Sequence, residues 1–377
     1  MFENFLMLKT YLQNKFFERQ EVVDGMMVAL ATGQHLLMIG PPGTAKSQLT
    51  QELCNKINGV SYFQWLMTKY TTPDEIFGPI SLKGLENDEY RRVTTGKLPT
   101  AHIVFLDEVF KANSAILNAL LTALNERIFY NNGHPTPIPL ISLFGASNEL
   151  PQEDEGLAAL YDRFLFRYCV DYISEDSTFA ALLSGPSKKA APQFISLQDI
   201  QEIQNFIDTR VVVPPQTIDA LVTLRRELAG IGITVSDRRW VMAVQALKGN
   251  AALNNRTQVA VEEDFEILCH ILWNDPEQRR NVAKVVRKLA DPLAQRVQEI
   301  LDEATEIYKN AVSSGDPMQG AEAIKKLKNY LGEMQGLTTK GGPGCRQKAT
   351  QGLTRLEQML LEVSEKCLGI RGGKMAV

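Results

Sequence analysis

The chain has 377 residues, which is enough for about two or three domains and for a large buried core. With 44% hydrophobic and 22% charged residues and a formal net charge of -4, its composition is that of an ordinary globular protein. This composition excludes a small disulfide-stapled module, and it gives the chain no general affinity for nucleic acid or anionic lipid.

The N-terminal stretch does not have the pattern of a targeting signal. Its apolar residues are interleaved with Lys and Glu, and a signal-peptide cleavage pattern is missing. No run of about eighteen apolar residues follows, so we expect no membrane span. The five cysteines are far apart and form no CxxC pair, and we interpret them as reduced thiols. These features predict a cytoplasmic protein.

Short apolar runs then alternate with amphipathic stretches, a pattern typical of a parallel sheet covered by helices. The predicted strands are residues 35–39, 62–67, 103–106, 140–146 and 165–170. A helix is predicted over residues 114–126, where apolar side chains recur on one face. Two further stretches, residues 80–98 and 128–139, look like inserted hairpins. We expect this first domain to comprise residues 1–172.

The rest of the chain is predicted to be helical. A second domain, residues 173–275, has helical patterns near residues 175–183, 197–208, 215–229, 237–253 and 261–273. A third region, residues 276–377, follows a break at Pro276 and has helical patterns near residues 277–312, 318–335 and 346–368. The apolar stripes of this third region fit either a local helical bundle or a surface that docks a partner.

The strongest chemical signal lies between the first predicted strand and a predicted helix over residues 47–58. It reads Gly40-Pro41-Pro42-Gly43-Thr44-Ala45-Lys46-Ser47. Glycines let the backbone amides turn toward phosphate oxygens, and the helix N-terminus adds its dipole. In such a loop Lys46 reaches the β- and γ-phosphates and Ser47 binds Mg²⁺. Ala45 stands where the strict pattern has a glycine; the alternative interpretation is a plain turn.

A second signal is an apolar strand that ends in two carboxylates, Asp107 and Glu108. In a phosphate-binding fold this strand ends beside the phosphates. Asp107 can then hold magnesium, usually through water, and Glu108 can orient and deprotonate the attacking water. The alternative, a strand that ends at a solvated acidic turn, is disfavoured because the loop and the carboxylates occur together.

Two more polar residues flank the last predicted strands. Asn148 follows the strand at residues 140–146, and its amide can contact both the γ-phosphate and the attacking water. Arg163 lies just before the final strand. Taken alone, Arg163 fits an ion pair with an acidic neighbour as well as a contact to ATP bound by another subunit.

Several separated motifs together resemble the MoxR family of AAA+ ATPases, and most closely its RavA-type branch. In chain order they are GPPGTAKS, VFLDE, ALLTALNER, ASNELP, LYDRFLFR and VSDRRW. The likeness runs from about residue 15 to residue 275. It implies an α/β P-loop AAA+ core, with helices on both faces of a parallel sheet, followed by an all-helical lid and a helical C-terminal region. The RavA-type branch continues into a partly β-stranded module, whereas this sequence looks helical to its end.

The resemblance also implies a role for each matched residue. Lys46 and Ser47 correspond to the Walker A pair, and Asp107 and Glu108 to the Walker B pair. Asn148 corresponds to sensor 1, Arg163 to a finger that acts in trans on a neighbouring subunit, and Arg238 to sensor 2. The adjacent Arg239 is the alternative for sensor 2.

For the whole protein, the resemblance implies a hexameric ring that hydrolyses ATP with Mg²⁺ to remodel a protein client. Members often work with a protein that bears a von Willebrand factor A domain, in tasks such as cofactor or metal insertion. A metal-chelatase motor subunit has a similar core and is an alternative. A nucleic-acid motor is disfavoured by the acidic ATPase region, and no basic and aromatic tract supports it. A scaffold that only binds ATP would not need Glu108, Asn148 and Arg163 together.

Overall fold

The computed structural model describes residues 1–151, 155–184, 194–314, 316–340 and 343–368. The chain divides into two compact units, residues 1–279 and residues 280–377. Among the described residues, no helix is both long and apolar enough to cross a lipid bilayer.

The first unit opens with two helices that the sequence analysis did not delimit, α1 (Phe2–Lys15) and α2 (Gln20–Thr32). The α/β elements follow in the order β1 (Leu36–Ile39), α3 (Lys46–Asn55), β2 (Ile57–Asn58), β3 (Tyr62–Leu66), α4 (Pro73–Phe77), α5 (Leu82–Leu85), β4 (Ile103–Asp107), α6 (Ser114–Glu126), β5 (Ile128–Asn131), β6 (His134–Pro137), β7 (Ser142–Ser147), α7 (Glu155–Arg163) and β8 (Phe166–Cys169). Helix α6 has the predicted limits, and the Asn113 side chain caps its N-terminus by accepting from the Ile116 amide.

The five predicted strands form one parallel sheet with the order β3-β4-β7-β1-β8, which confirms the predicted α/β fold. Strand β1 lies between β7 and β8, whereas the chain that leaves β1 through α3 returns to the sheet at the far edge, in β3. The loop after β1 therefore lies at a topological switch point, where ligands of open α/β sheets bind.

The two predicted hairpins differ in the structure. Strands β5 and β6 form an antiparallel hairpin, with Asn132 and Gly133 at positive φ in its turn. Residues 80–98 form only one isolated antiparallel bridge, Ile80 to Arg92, around the short helix α5. The two inserts contact each other, because the Asn131 and Asn132 side chains accept hydrogen bonds from the backbone amides of Arg92 and Tyr90.

The lid part of the first unit comprises α8 (Asp176–Leu183), β9 (Ile195–Ser196), α9 (Leu197–Arg210), α10 (Pro215–Gly230), α11 (Asp237–Leu253) and α12 (Val261–Asp264), followed by 3-10 turns at Phe265–His270 and Pro276–Gln278. The prediction that strands end after residue 173 was wrong at β9, which pairs in parallel with β2. A continuous helix over residues 261–273 was also wrong, since only α12 is α-helical there.

The second unit contains a helical bundle of its own. After α13 (Arg279–Ala290), which begins at the boundary, come α14 (Pro292–Ser314), α15 (Pro317–Lys340) and α16 (Pro343–Leu368). The predicted helix over residues 277–312 is interrupted before Pro292, because proline disfavours helical backbone in the residue before it. Buried residues of α14, α15 and α16 form one cluster, including Ile300, Leu327, Leu356 and Val363. The stripe of the last helix thus supports the local bundle.

Candidate functional site

The loops that follow β1, β4 and β7 meet at the carboxyl edge of the sheet. The register aligns Ile39 with Ser147, the last residues of β1 and β7, and β4 lies on the other side of β7. The sheet therefore brings residues 40–47, the carboxylates Asp107 and Glu108, and Asn148 to one edge, although they are far apart in the sequence.

Residues 40–47, here called the phosphate loop, connect β1 to α3 in a tightly constrained backbone. The Gly40 amide donates to the Ser147 carbonyl (2.9 Å), and a Cβ atom at Gly40 would lie 2.0 Å from the Val170 carbonyl oxygen. Gly43 has φ +79° and open space on its Cβ side. Ala45 has φ +65°, a left-handed conformation that disfavours a residue with a Cβ by about 1–2 kcal/mol. Ala45 thus has a backbone conformation that glycine adopts more readily.

Lys46 is buried at the start of α3 and turns back over the phosphate loop. Its Nζ donates to the carbonyls of Gly40 and Pro41 (2.8 Å each) and to Thr44 Oγ1 (3.3 Å). Burial lowers the pKa of Lys46, while the nearby carboxylates of Asp107 and Glu108 act in the opposite direction. The cation is therefore held over the loop, where it can exchange carbonyl oxygens for phosphate oxygens.

Glu108 and Asn148 are in direct contact. Asn148 Nδ2 donates to Glu108 Oε1 (2.5 Å), and the other carboxylate oxygen lies 3.2 Å from Lys111 Nζ. Glu108 itself has φ +52°, and its amide donates to Asp107 Oδ1 (3.0 Å). This geometry separates the two carboxylates: Asp107 ends its strand, and Glu108 is turned toward Asn148. An amide that holds one carboxylate oxygen leaves that group oriented for contact with a water molecule.

A resident metal centre has no support in the described parts of the chain, which contain no group of three or more His, Cys, Asp or Glu side chains suited to a metal ion. The predicted ligands, Ser47 and Asp107, instead supply one hydroxyl and one carboxylate. Mg²⁺ in nucleotide sites is typically held by such a small protein set together with phosphate oxygens and water. The residues present therefore fit Mg²⁺ that arrives with a nucleotide.

A cavity of about 780 Å³ opens beside Gly43, Thr44 and Ala45 of the phosphate loop. Its walls come from the segment between α1 and α2 and from residues after β8, and they include Phe16, Tyr172 and Phe179. Its volume is sufficient for a ligand of nucleotide size, and its aromatic lining suits a flat ring system such as a nucleotide base. No local sequence pattern marks these residues, because they belong to segments more than 150 positions apart.

Arg19 connects one wall of this cavity to the phosphate loop. The buried guanidinium donates to the Asp171 carbonyl (2.6 Å) and, more weakly, to the Thr44 carbonyl (3.4 Å). Burial lowers the pKa of Arg19. The side chain thereby fixes the loop against the segment that follows β8.

Arg163 is the last residue of α7. Its side chain is 16% exposed, and NH1 lies 3.8 Å from Asp162 Oδ2, too far for a good hydrogen bond. Within the described structure its buried Nε has no hydrogen-bond partner. Burial lowers the pKa of Arg163, and the nearby charge of Arg238 lowers it further. The structure thus places two predicted functional arginines near each other.

Arg238 and Arg239 are adjacent in α11 but have different surroundings. Arg238 is exposed, whereas Arg239 is only 3% exposed. Arg239 donates to Asp162 Oδ1 (2.6 Å) and to Asn274 Oδ1 (2.7 Å). Because its guanidinium already has two close acceptors within the protein, Arg239 has the contacts of a structural residue, and Arg238 is the better candidate for contact with a ligand.

This difference predicts unequal effects on stability. Arg239→Ala leaves Asp162 without its closest cation, and we expect it to lower the free energy of unfolding by about 1–3 kcal/mol. Arg238→Ala removes an exposed side chain, and the expected change is within about 0.5 kcal/mol. Urea unfolding monitored by circular dichroism measures both variants. Equal losses would contradict the structural assignment of Arg239.

Comparisons with known proteins match most of the chain. A family model described as the MoxR domain in the MoxR-vWA-beta-propeller ternary systems matches residues 4–206, and an AAA lid domain model matches residues 216–286. The protein MJ0812 of Methanocaldococcus jannaschii is 38% identical over 362 residues, which are 94% of this chain and 95% of that protein. The chaperone MoxR1 of Mycobacterium tuberculosis is 26% identical over 272 residues, or 67% and 70% of the two chains.

Among solved structures, a protein from Cytophaga hutchinsonii described as a "putative ATPase" aligns with a TM-score of 0.59. The match covers 76% of this chain and 96% of that one, at 19% sequence identity. A likeness at this level of identity supports the fold.

Proposed function

We propose that this chain, which belongs to the MoxR family of AAA+ ATPases, hydrolyses ATP with Mg²⁺ as a ring of identical subunits and uses the energy to remodel a protein client. The observation that carries the proposal is the position of the Glu108–Asn148 pair at the same sheet edge as the phosphate loop with its buried lysine. A protein that only binds nucleotide has no use for an oriented carboxylate there.

Each residue of the site then has one task. Amides of the phosphate loop and Lys46 bind the phosphates of ATP, and Ser47 and Asp107 hold the magnesium ion. Glu108, oriented by Asn148, accepts the proton of the attacking water. Mg²⁺, when bound with ATP, neutralises part of the negative charge on the phosphates.

The proposed ring of subunits would supply a cation that the phosphate site of a single subunit lacks. Negative charge on the transferring phosphoryl group needs a cation in addition to Lys46. Arg163, whose buried Nε has no hydrogen-bond partner in the described part of the chain, and the nearby Arg238 are two such cations. We assign Arg163 to the ATP of the adjacent subunit and Arg238 to nucleotide sensing by the lid, with a hexamer as the expected assembly. The closer relation to the RavA-type branch stays a prediction.

The partner proposed is a protein with a von Willebrand factor A domain. The matched family is described from ternary systems that combine a MoxR domain with a vWA and a beta-propeller component, and the relative MoxR1 is a chaperone. Both descriptions support action on other proteins. Insertion of a metal or another cofactor into the client is one such task.

A concentration series tests the proposed function. We expect ATP hydrolysis to require Mg²⁺ and the rate per subunit to rise with protein concentration, since each site is completed by a second copy. Phosphate release and analytical ultracentrifugation, measured on the same samples, check whether activity follows assembly. Full activity of monomers, or no Mg²⁺-dependent hydrolysis by assembled rings, would contradict the proposal.

A further inference from the structure

The turn that contains Arg163 accepts hydrogen bonds from a second, fully buried arginine. Arg167 of β8 donates to the carbonyls of Tyr161 (3.0 Å) and Phe164 (3.2 Å), one on each side of Arg163. Its guanidinium also lies 3.8 Å from the centre of the Tyr161 ring. Cations at the carboxyl end of a helix are favourable because the last carbonyls there lack intrahelical partners. Arg167 therefore connects the backbone on both sides of Arg163 to strand β8.

The same turn is also attached to the lid. Arg167 NH1 donates to the Trp273 carbonyl (2.7 Å), and the Tyr161 hydroxyl donates to the Asn274 carbonyl (2.7 Å). From α11, Arg239 reaches Asp162, the residue directly before Arg163, and the Ser236 hydroxyl lies 3.5 Å from the same carboxylate. Asn274 additionally donates to the Thr234 carbonyl. Tyr161 and Asp162 thus contact the lid directly, and Phe164 is connected to it through Arg167.

We propose that Asp162 and Arg239 are positioning residues that couple the lid helix α11 to the orientation of Arg163, an inference that rests on the proposed function. The ion pair is short, and Arg239 is almost wholly buried, so α11 and the end of α7 move as one body at this point. A shift of the lid in one subunit therefore changes the cation that this subunit offers to its neighbour. Since misplacement of a catalytic group by about 1 Å costs on the order of 10²-fold, small shifts suffice.

Substitutions of the pair test the coupling. Asp162→Asn keeps the shape of the side chain and removes its charge. Arg239→Lys keeps the charge but cannot donate to both Asp162 and Asn274 as the guanidinium does. We expect each variant to lower kcat about tenfold or more, with KM for ATP changed less than about twofold. Asp237→Asn is the matched control, because Asp237 is an exposed carboxylate in the first turn of α11 that also faces an arginine, Arg225. Its kcat should stay within about twofold of the wild type.

Mixed rings distinguish positioning from general stability. If a variant misplaces the Arg163 that its neighbour needs, Lys46→Ala subunits can supply an intact Arg163. The Lys46→Ala subunits themselves do not bind ATP. We therefore expect Asp162→Asn to regain activity when mixed with Lys46→Ala, and to regain none when mixed with Arg163→Ala. Arg239→Lys should behave in the same way. Incorporation of both partners into one ring is measured by native mass spectrometry.

The opposite results overturn the inference. Recovery with Arg163→Ala but not with Lys46→Ala would show that Asp162 serves the ATP of its own subunit. If mixed rings form and Asp162→Asn regains no activity with either partner, the Asp162–Arg239 pair only stabilises the fold. A third mixture, of Lys46→Ala with Arg163→Ala, tests the proposed function separately. If these two variants also failed to restore activity, the proposal of a site shared between subunits would be wrong.

Discussion

Arg163→Ala is expected to bind ATP with nearly wild-type affinity and to hydrolyse it about 10³- to 10⁵-fold more slowly. The phosphate loop, the magnesium ligands and Glu108 lie in the same subunit as the nucleotide and are untouched by this change. In the proposed ring, the change removes only the cation that stabilises the transition state from the next subunit. Binding of a fluorescent ATP analogue and steady-state phosphate release give the two quantities separately.

Mixing provides the sharper measurement of the same prediction. In a random one-to-one mixture of Arg163→Ala and Lys46→Ala, about a quarter of the interfaces combine an intact cradle with an intact finger, so part of the activity should return. Neither variant alone contains such an interface. If mixed rings form and activity stays at the level of the single variants, Arg163 does not act in trans.

Glu108→Gln is expected to retain ATP and to lose turnover by about 10²- to 10⁴-fold, because the amide keeps the contact with Asn148 but cannot accept the proton of water. Lys46→Ala differs in losing nucleotide binding itself. Glu86→Gln, the same change on an exposed glutamate of the insert, is the control and should leave both quantities unchanged. Wild-type turnover in Glu108→Gln would remove Glu108 from the role of general base.

The fold was largely predictable where the sequence signal is local. Buried parallel strands appear as apolar runs, and α6 has both a periodic face and the capping residue Asn113, so its limits were found. The pairing of β2 with β9 joins two dipeptides about 140 positions apart and leaves no local pattern. Residues 265–273 are buried on nearly every side, so periodicity does not distinguish an α-helix from 3-10 turns there.

The site divides in the same way. The phosphate loop and the two carboxylates have fixed spacing within single segments, so the sequence alone predicts them as site residues. The cavity beside the loop is formed by segments that are distant in the sequence. The same is true of the contacts that Arg167 and Arg239 make with the turn around Arg163. The choice between Arg238 and Arg239 depends on burial, and two adjacent arginines at a helix start have no sequence feature that reveals it.

The left-handed backbone of Ala45 has a consequence for the kinetics of nucleotide exchange. A glycine at this position would sample many conformations, and part of that freedom would be lost each time phosphate is bound. Ala45 is strained in its left-handed conformation. The alanine nevertheless has fewer other backbone conformations than glycine, so less conformational entropy is lost when the loop is ordered. A loop that is already ordered needs little rearrangement on the arrival of a nucleotide, and it holds the product in the same preorganised cradle. In the proposed mechanism, release of the product then depends on motions elsewhere, at the lid and between the subunits of the proposed ring.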